Sequence, residues 1–167
     1  MATLNATVGA IDANSYVTLA EAADYMASRI HFSAAWTAFV DKDKMLMSCS
    51  QMLDWYVKFK GIKASETQSM AWPRVDVIDQ EGFEISSLII PPKVKIAVYE
   101  LAIETLSGDR TGDDPLAGIS KLQVSSLMIA AGQKPKNTTK KAIPDKIYDI
   151  LYGLYSSGAF TVRLLRA

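Results

Sequence analysis

The residue types that most often perform catalysis or bind metals are rare in this chain, which contains one histidine and one cysteine among 167 residues. His31 stands beside Phe32 at the predicted end of a helix, where a capping or structural role is usual. Cys49 lies within a helical apolar pattern, which is typical of a buried free thiol. One histidine and one cysteine cannot assemble a usual zinc site, and no EF-hand pattern occurs. The sequence therefore predicts no metal and no cofactor.

Two glutamates, Glu100 and Glu104, are four residues apart and lie on one face of a predicted helix. As an acid–base pair they would need a pocket, whereas as the exposed strip of a mostly buried helix they need none. The glycine-rich motifs that hold phosphate groups are absent. These observations predict a protein that is not an enzyme.

A polar segment near the C-terminus contains lysines that could contact phosphate groups. These residues are Lys134, Lys136, Lys140 and Lys141. Residues 131–143 lack apolar periodicity, which predicts a loop. No aromatic residue lies between Lys121 and Tyr148, so stacking platforms for single strands are missing there. We expect the loop to contact DNA or a neighbouring subunit electrostatically, without sequence specificity.

The net charge of zero hides an asymmetry along the chain. Residues 1–117 contain six more acidic than basic residues, and residues 118–167 contain six more basic than acidic residues. Such a division indicates either a contact between unlike surfaces or a solvated surface with a basic loop.

The last residues of the chain combine apolar and basic side chains: Phe160, Val162, Arg163, Leu164, Leu165 and Arg166. Such a segment either returns to the core as a last strand or docks on a partner by strand addition or groove insertion. We predict that these residues bind a partner.

The elements that must position these groups are mostly helical. Apolar residues recur at helical spacing over about 19–30, 36–59, 92–107 and 144–155. Short β patterns occur over 75–85, around the turn Asp79–Gly82, and over 119–129. The predicted fold class is mainly α: a small helical bundle of about four helices around a central buried helix, 92–107, with short β-hairpin or strand arms.

The whole chain, 1–167, is predicted to form a single domain with irregular arms at 61–91 and 108–143 and a C-terminal tail at 156–167. No apolar run is long enough to span a membrane, and no secretory signal is visible. The single cysteine fits a reducing cytoplasm.

Trp72, Pro73 and Arg74 form a stiff, bulky and charged corner between the second helix and the first β pattern. Pro73 excludes Trp72 from helical geometry. Trp72 has a large apolar ring that needs a pocket, and Arg74 has a planar fork that suits a carboxylate or a row of carbonyls. We predict that these residues are a structural anchor.

Several motifs occur in a fixed order along residues 15–95. In chain order they are Ser15-Tyr16-Val17-Thr18-Leu19-Ala20-Glu21-Ala22, Trp36, Leu53-Asp54-Trp55-Tyr56, Phe59-Lys60-Gly61, Gln68 with Ala71-Trp72-Pro73-Arg74, and Ile90-Pro91-Pro92-Lys93-Val94-Lys95. This order resembles the head–tail connector, or adaptor, proteins of tailed bacteriophages, which are often labelled DnaT-like single-stranded DNA-binding proteins. The resemblance is clearest over residues 15–107.

The resemblance implies a structural virion protein of the phage neck, assembled in the host cytoplasm. It implies a ring of about twelve subunits between the portal protein and the tail or neck proteins. The genome would pass through this ring without sequence-specific binding, and no membrane would be involved. The alternative function is that of a single-stranded DNA-binding replication protein of the primosomal type.

Overall fold

The computed structural model describes residues 3–106, 108, 110, 121–124, 127–130 and 141–156. Its helices are α1 (Leu19–Ala27), α2 (Ser33–Ala38), α3 (Lys42–Tyr56), α4 (Pro92–Thr105) and α5 (Asp145–Ile150). Its strands form two antiparallel pairs, β1 (Ile62–Lys63) with β2 (Arg74–Val75) and β3 (Lys121–Val124) with β4 (Leu127–Ala130). The predicted mainly α class is confirmed.

Helix α4 is the centre of the bundle, as predicted. It packs against α1, α3 and α5. Pro92 occupies its first turn, where the missing N–H of proline removes no helical hydrogen bond. Most of its residues are buried, including Val94, Val98 and Leu101. Burial around most of its circumference explains why the apolar stripe of this helix is so wide in the sequence.

The helix predicted over 36–59 is two helices in the structure. Phe39 is extended between α2 and α3, with φ −74° and ψ 130°. The Lys42 ammonium donates to the carbonyls of Thr37 and Phe39 at 3.2 and 2.6 Å, which satisfies the last carbonyls of α2. Apolar spacing alone did not reveal this break because both helices present apolar residues to the same core.

Two other helices are shorter than predicted. The capping box of Thr18 and Glu21 opens α1 at the expected place, but α1 ends at Ala27 instead of residue 30. Helix α5 ends at Ile150 instead of residue 155, because the chain turns through Gly153 at φ +95° and then pairs with another segment.

The predicted hairpin around Asp79–Gly82 is present in the structure. Ile78 and Glu84 form an antiparallel bridge, and the N–H of Asp79 donates to the Phe83 carbonyl at 2.9 Å. Val75, however, belongs to β2 and pairs with Ile62. The β pattern predicted over 119–129 is a pair of strands, β3 and β4, with Leu122 opposite Ile129. The single-domain organisation stays a prediction.

Candidate nucleic-acid interface

The end of α3 exposes two aromatic side chains next to two lysines. Trp55 and Tyr56, in the last turn of α3, are 72% and 48% exposed. The chain then becomes extended, so that Val57 and Phe59 are buried while Lys58 and Lys60 face the solvent. This alternation is the pattern of a half-buried strand.

The extended segment is held in place by residues that follow α5. The Lys60 N–H donates to the Leu154 carbonyl at 2.9 Å, and the Ser156 N–H donates to the Lys58 carbonyl at 2.7 Å. Phe59 and Tyr155 form the antiparallel bridge between these hydrogen bonds. This pairing explains why the helix predicted to run to Phe59 ends three residues earlier.

Three tyrosines extend the aromatic surface around these lysines. The rings of Tyr148 and Tyr155 meet edge to face, with centroids 5.3 Å apart. The Tyr148 hydroxyl donates to the Tyr56 carbonyl at 3.3 Å. Burial, together with the charges of Tyr155 and Asp145, raises the pKa of Tyr148, so this phenol stays neutral at physiological pH.

Tyr152 projects beside a groove of about 600 Å³ that also contains Lys60, Tyr155 and Ser156. Its side chain is exposed, but its backbone is fixed: the Gln80 side-chain amide and the Lys93 ammonium donate to the Tyr152 carbonyl at 3.1 and 3.2 Å. A Cβ on the next residue, Gly153, would lie 2.8 Å from Gln80 Cγ. An exposed ring on a fixed backbone is well suited to stacking.

We call this surface the aromatic–basic face. It consists of Trp55, Tyr56, Lys58, Lys60, Tyr148, Tyr152 and Tyr155. Aromatic rings accept stacked bases of any sequence, and ammonium groups attract phosphates, so the face has the chemistry of a single-strand binding surface.

Sequence reasoning missed this face. It noted a lack of aromatic residues near the basic loop, whereas the fold brings Tyr148, Tyr152 and Tyr155 beside lysines almost one hundred residues earlier in the chain. A usable signal was present in Val57-Lys58-Phe59-Lys60, where apolar and charged residues alternate directly after two aromatic residues.

The residues predicted to bind partners lie largely outside the described part of the chain. This is true of Lys134, Lys136 and Lys140, and of Phe160, Val162, Arg163, Leu164, Leu165 and Arg166. Lys141 is described: its ammonium forms an exposed ion pair with Asp145 at 2.7 Å. The assignment of these residues stays a prediction.

The corner formed by Trp72, Pro73 and Arg74 is packed into the protein. Trp72 is 1% exposed, and its ring meets that of Phe59 edge to face at 5.6 Å. The Arg74 guanidinium donates to the carbonyls of Lys60, Gly61 and Ala71 at 2.6, 2.6 and 3.1 Å. The bond between Trp72 and Pro73 is cis. Arg74 thereby fixes the backbone of the aromatic–basic face at Lys60.

A buried polar network lies behind this corner. The Tyr16 hydroxyl donates to Asp54 Oδ1, and Asp54 Oδ2 accepts the Ala71 N–H at 2.9 Å. Burial raises the pKa of the Asp54 carboxyl, an effect opposed by the hydrogen bonds from Tyr16 and Ala71. Burial and the Asp54 charge raise the pKa of Tyr16 well above its usual range. The network therefore connects three of the motif segments noted in the sequence.

The expectation that Glu100 belongs to an exposed strip is wrong. Glu100 is 1% exposed, and its carboxylate pairs with Arg29 and with Lys146. It also accepts a hydrogen bond from the Tyr25 hydroxyl at 2.5 Å. Glu104 pairs separately with Arg110 at 3.2 Å. The sequence could not show this burial because Arg29 and Lys146 come from distant segments.

Cys49 is buried and contacts the Thr105 hydroxyl, with 3.6 Å between sulfur and oxygen. Burial raises the pKa of its thiol to about 11. Among the described residues, no group of histidine, cysteine or acidic side chains is arranged to hold a metal ion. No helix in the described ranges is long and apolar enough to cross a membrane.

The described residues form a mainly helical fold with an exposed aromatic and basic surface. The chain belongs to the family described as "Putative DnaT-like ssDNA binding protein", whose model matches residues 3–167. No curated protein and no solved structure matches the chain.

This match confirms the DnaT-like label and corrects the main functional prediction. The head–tail connector function is wrong, because the family that spans the chain is described by its binding to single-stranded DNA. The partners expected of a connector are wrong for the same reason: the portal protein, the tail or neck proteins, the subunits of a ring, and DNA that merely passes through a channel. The location in a phage neck stays a prediction.

Proposed function

We propose that this protein binds single-stranded DNA through the aromatic–basic face, as a replication protein of the primosomal type. The observation that carries the proposal is that Lys60, which closely follows the exposed Trp55 and Tyr56 in the chain, lines one groove with exposed Tyr152, in a chain that belongs to a DnaT-like family. The lysines attract the phosphate backbone and the rings stack on unpaired bases.

Binding of this kind discriminates little between sequences, because every base has a π face and no side chain needs to read a base edge. It also weakens as salt concentration rises, since each neutralised phosphate of a single strand releases about 0.7 of a counterion. The basic residues Arg163 and Arg166, which follow Ser156 in the chain, would add to this electrostatic attraction.

The proposed activity is binding without catalysis. Cys49 is not available as a nucleophile because its thiol is buried and protonated at neutral pH. Glu100 is not available as a general base because its carboxylate is already paired with two cations and a tyrosine hydroxyl. These two residues therefore support the structure instead of a reaction.

The test is the affinity of the purified protein for a fluorescent oligothymidine, measured by anisotropy. Tyr152→Ala and Trp55→Ala should each weaken binding by about 1–3 kcal/mol, the usual contribution of one stacked base. Phe32→Ala is the matched control, since Phe32 is 40% exposed but lies between α1 and α2, outside the face.

Circular dichroism should be unchanged in all three variants. Equal affinities of the Tyr152 and Trp55 variants and the wild-type protein would refute the location of the interface. A wild-type protein that does not bind the oligonucleotide at low salt would refute the function itself.

A further inference from the structure

The hairpin over residues 77–85 carries only negative charge. Asp79, Glu81 and Glu84 lie within it, and it contains no lysine or arginine. Its backbone is closed by the Ile78 and Glu84 bridge and by a 2.9 Å hydrogen bond from the Ile85 N–H to the Val77 carbonyl. We call this segment the acidic hairpin.

The acidic hairpin is attached directly to the aromatic–basic face. Gln80 donates to the Tyr152 carbonyl, and Gly153 leaves room for the Gln80 side chain. Asp79 lines the same groove as Lys60 and Tyr155. The hairpin is therefore a wall of the proposed DNA-binding surface and not a distant feature of the protein.

Two glutamates of the hairpin line a second groove that also borders Tyr152. This groove of about 620 Å³ contains Glu81, Glu84, Tyr152 and Lys93. Tyr152 thus borders both grooves: the first contains Lys60 and Asp79, and the second contains Glu81, Glu84 and Lys93. The Asp79 carboxylate differs from those of the glutamates, because it accepts the N–H groups of Glu81 and Phe83 at 2.9 Å and so holds the turn.

We infer that the acidic hairpin makes the interface select single-stranded over double-stranded DNA, with Glu81 and Glu84 as the residues that determine this specificity. The inference rests on the proposed function. A single strand can place its one phosphate backbone along Lys58 and Lys60 and turn its bases towards Tyr152. A duplex has a second backbone only a groove width away, which would approach the glutamates.

Repulsion by exposed glutamates has a modest size and a range of about 8 Å at physiological ionic strength. Exposed charge pairs change an equilibrium by a small factor each, so two glutamates should change duplex affinity by about three- to tenfold. A change of this size is enough to make the protein prefer single strands, but it does not abolish duplex binding at low salt.

The salt dependence of the variant's effect tests the inference separately. Counterion release alone weakens duplex binding more steeply than single-strand binding, since the slope per phosphate is about −0.9 for duplexes and about −0.7 for single strands. The preference for single strands would then rise with salt. Repulsion from the acidic hairpin is screened by salt and opposes this trend, so the gain in duplex affinity caused by Glu81→Gln/Glu84→Gln should shrink between about 50 and 200 mM salt.

The test compares wild-type protein with the double variant Glu81→Gln/Glu84→Gln, using a fluorescent oligothymidine and a hairpin duplex of equal phosphate number. The variant should bind the duplex about three- to tenfold more tightly, with less than about a twofold change for the single strand. The matched control is Asp12→Asn/Glu66→Gln, which makes the same charge change at exposed positions that line neither groove.

Three results would overturn the inference: no gain in duplex binding, an equal gain for both DNAs, or the same gain in the control. A gain in duplex affinity for the variant that does not shrink as salt rises would also overturn it. Failure of the wild-type protein to bind single strands at all would instead refute the proposed function, so the two failures are distinguishable.

Discussion

The Tyr16 hydroxyl donates a hydrogen bond to the Asp54 carboxylate, joining the loop before α1 to the last turn of α3 across 38 residues. The same hydroxyl accepts the Trp72 N–H at 3.3 Å, and Asp54 accepts the Ala71 N–H at 2.9 Å. Three separated motifs of the sequence therefore meet in one buried network. This network supports the backbone from which Trp55 and Tyr56 project.

Tyr16→Phe should destabilise the protein by about 1–3 kcal/mol. The substitution removes one hydroxyl but leaves a buried carboxylate oxygen and the Trp72 N–H without their partner, and unsatisfied buried groups carry that penalty. Urea unfolding followed by circular dichroism measures the effect. Tyr152→Phe, at an exposed position, should stay within about 0.5 kcal/mol of wild type. Equal midpoints for the wild-type protein and the Tyr16 variant would contradict this prediction.

The pH dependence of stability should differ between two carboxyl groups. Burial raises the pKa of Asp54, so its contribution to stability is complete below the unfolded pKa of about 3.9 and is lost as pH rises through the folded pKa. The stability of wild type relative to Asp54→Asn should therefore decrease as pH rises above about 3.9.

Glu21 provides the comparison of opposite sign. Burial would raise the pKa of Glu21, but the hydrogen bond with Lys95, assisted by Thr18, brings it below its usual value. The stability of wild type relative to Glu21→Gln should instead decrease as pH falls below the unfolded pKa of about 4.3, because this contribution is lost as the carboxylate is protonated. Unfolding curves at several pH values test the predictions for Asp54 and Glu21. If the two variants show the same trend with pH relative to wild type, the opposite pKa shifts of the two carboxyl groups are disproved.

Substitutions around Glu100 should be strongly non-additive. Arg29 and Lys146 both pair with its buried carboxylate, and each side chain is itself about half exposed. Either cation alone still compensates the carboxylate, so Arg29→Met and Lys146→Met should each cost about 1 kcal/mol. The double variant leaves the buried Glu100 carboxylate with only the Tyr25 hydroxyl as donor. Its free energy of unfolding should therefore fall by more than about 3 kcal/mol.

A double-mutant cycle measures this coupling directly. Lys44→Met is a suitable control, because its ion pair with Asp41 is exposed on both sides and should contribute less than about 0.5 kcal/mol. If the losses in unfolding free energy caused by Arg29→Met and Lys146→Met simply add, the two cations do not compensate the Glu100 carboxylate jointly.

Trp72→Ala should cost about 3–5 kcal/mol, as expected for truncation of a fully buried aromatic ring. Trp72→Phe should cost much less, since the indole N–H has no partner among the described residues and the ring contact with Phe59 is partly kept. Thermal unfolding compares the two variants. Similar midpoints for both would indicate that the pocket collapses around the smaller side chain.

Arg163→Gln/Arg166→Gln should reduce the salt dependence of single-strand binding. If both arginines neutralise phosphates, the slope of log affinity against log salt should become shallower by about 1.4. Anisotropy titrations at several salt concentrations measure this slope. An unchanged slope would show that the arginines do not contact phosphates, in agreement with the prediction that this segment binds a protein partner.

The helical class, the central position of α4 and the hairpin turn at Asp79–Gly82 were predictable because they depend on local periodicity and turn residues. The break between α2 and α3 was not, since the Lys42 side chain that satisfies the end of α2 acts only in the folded chain. The early end of α5 was not predicted either, because the pairing of Tyr155 with Phe59 competes with helix formation.

The amino-acid sequence by itself determined the mainly helical class, the scarcity of reactive groups and the segregation of charge, because these follow from residue types and short-range spacing. Tertiary structure alone decided that Glu100 is buried between two cations and that tyrosines after α5 lie beside lysines after α3. Contacts between distant segments depend on how the chain packs as a whole, and neither composition nor periodicity encodes them visibly.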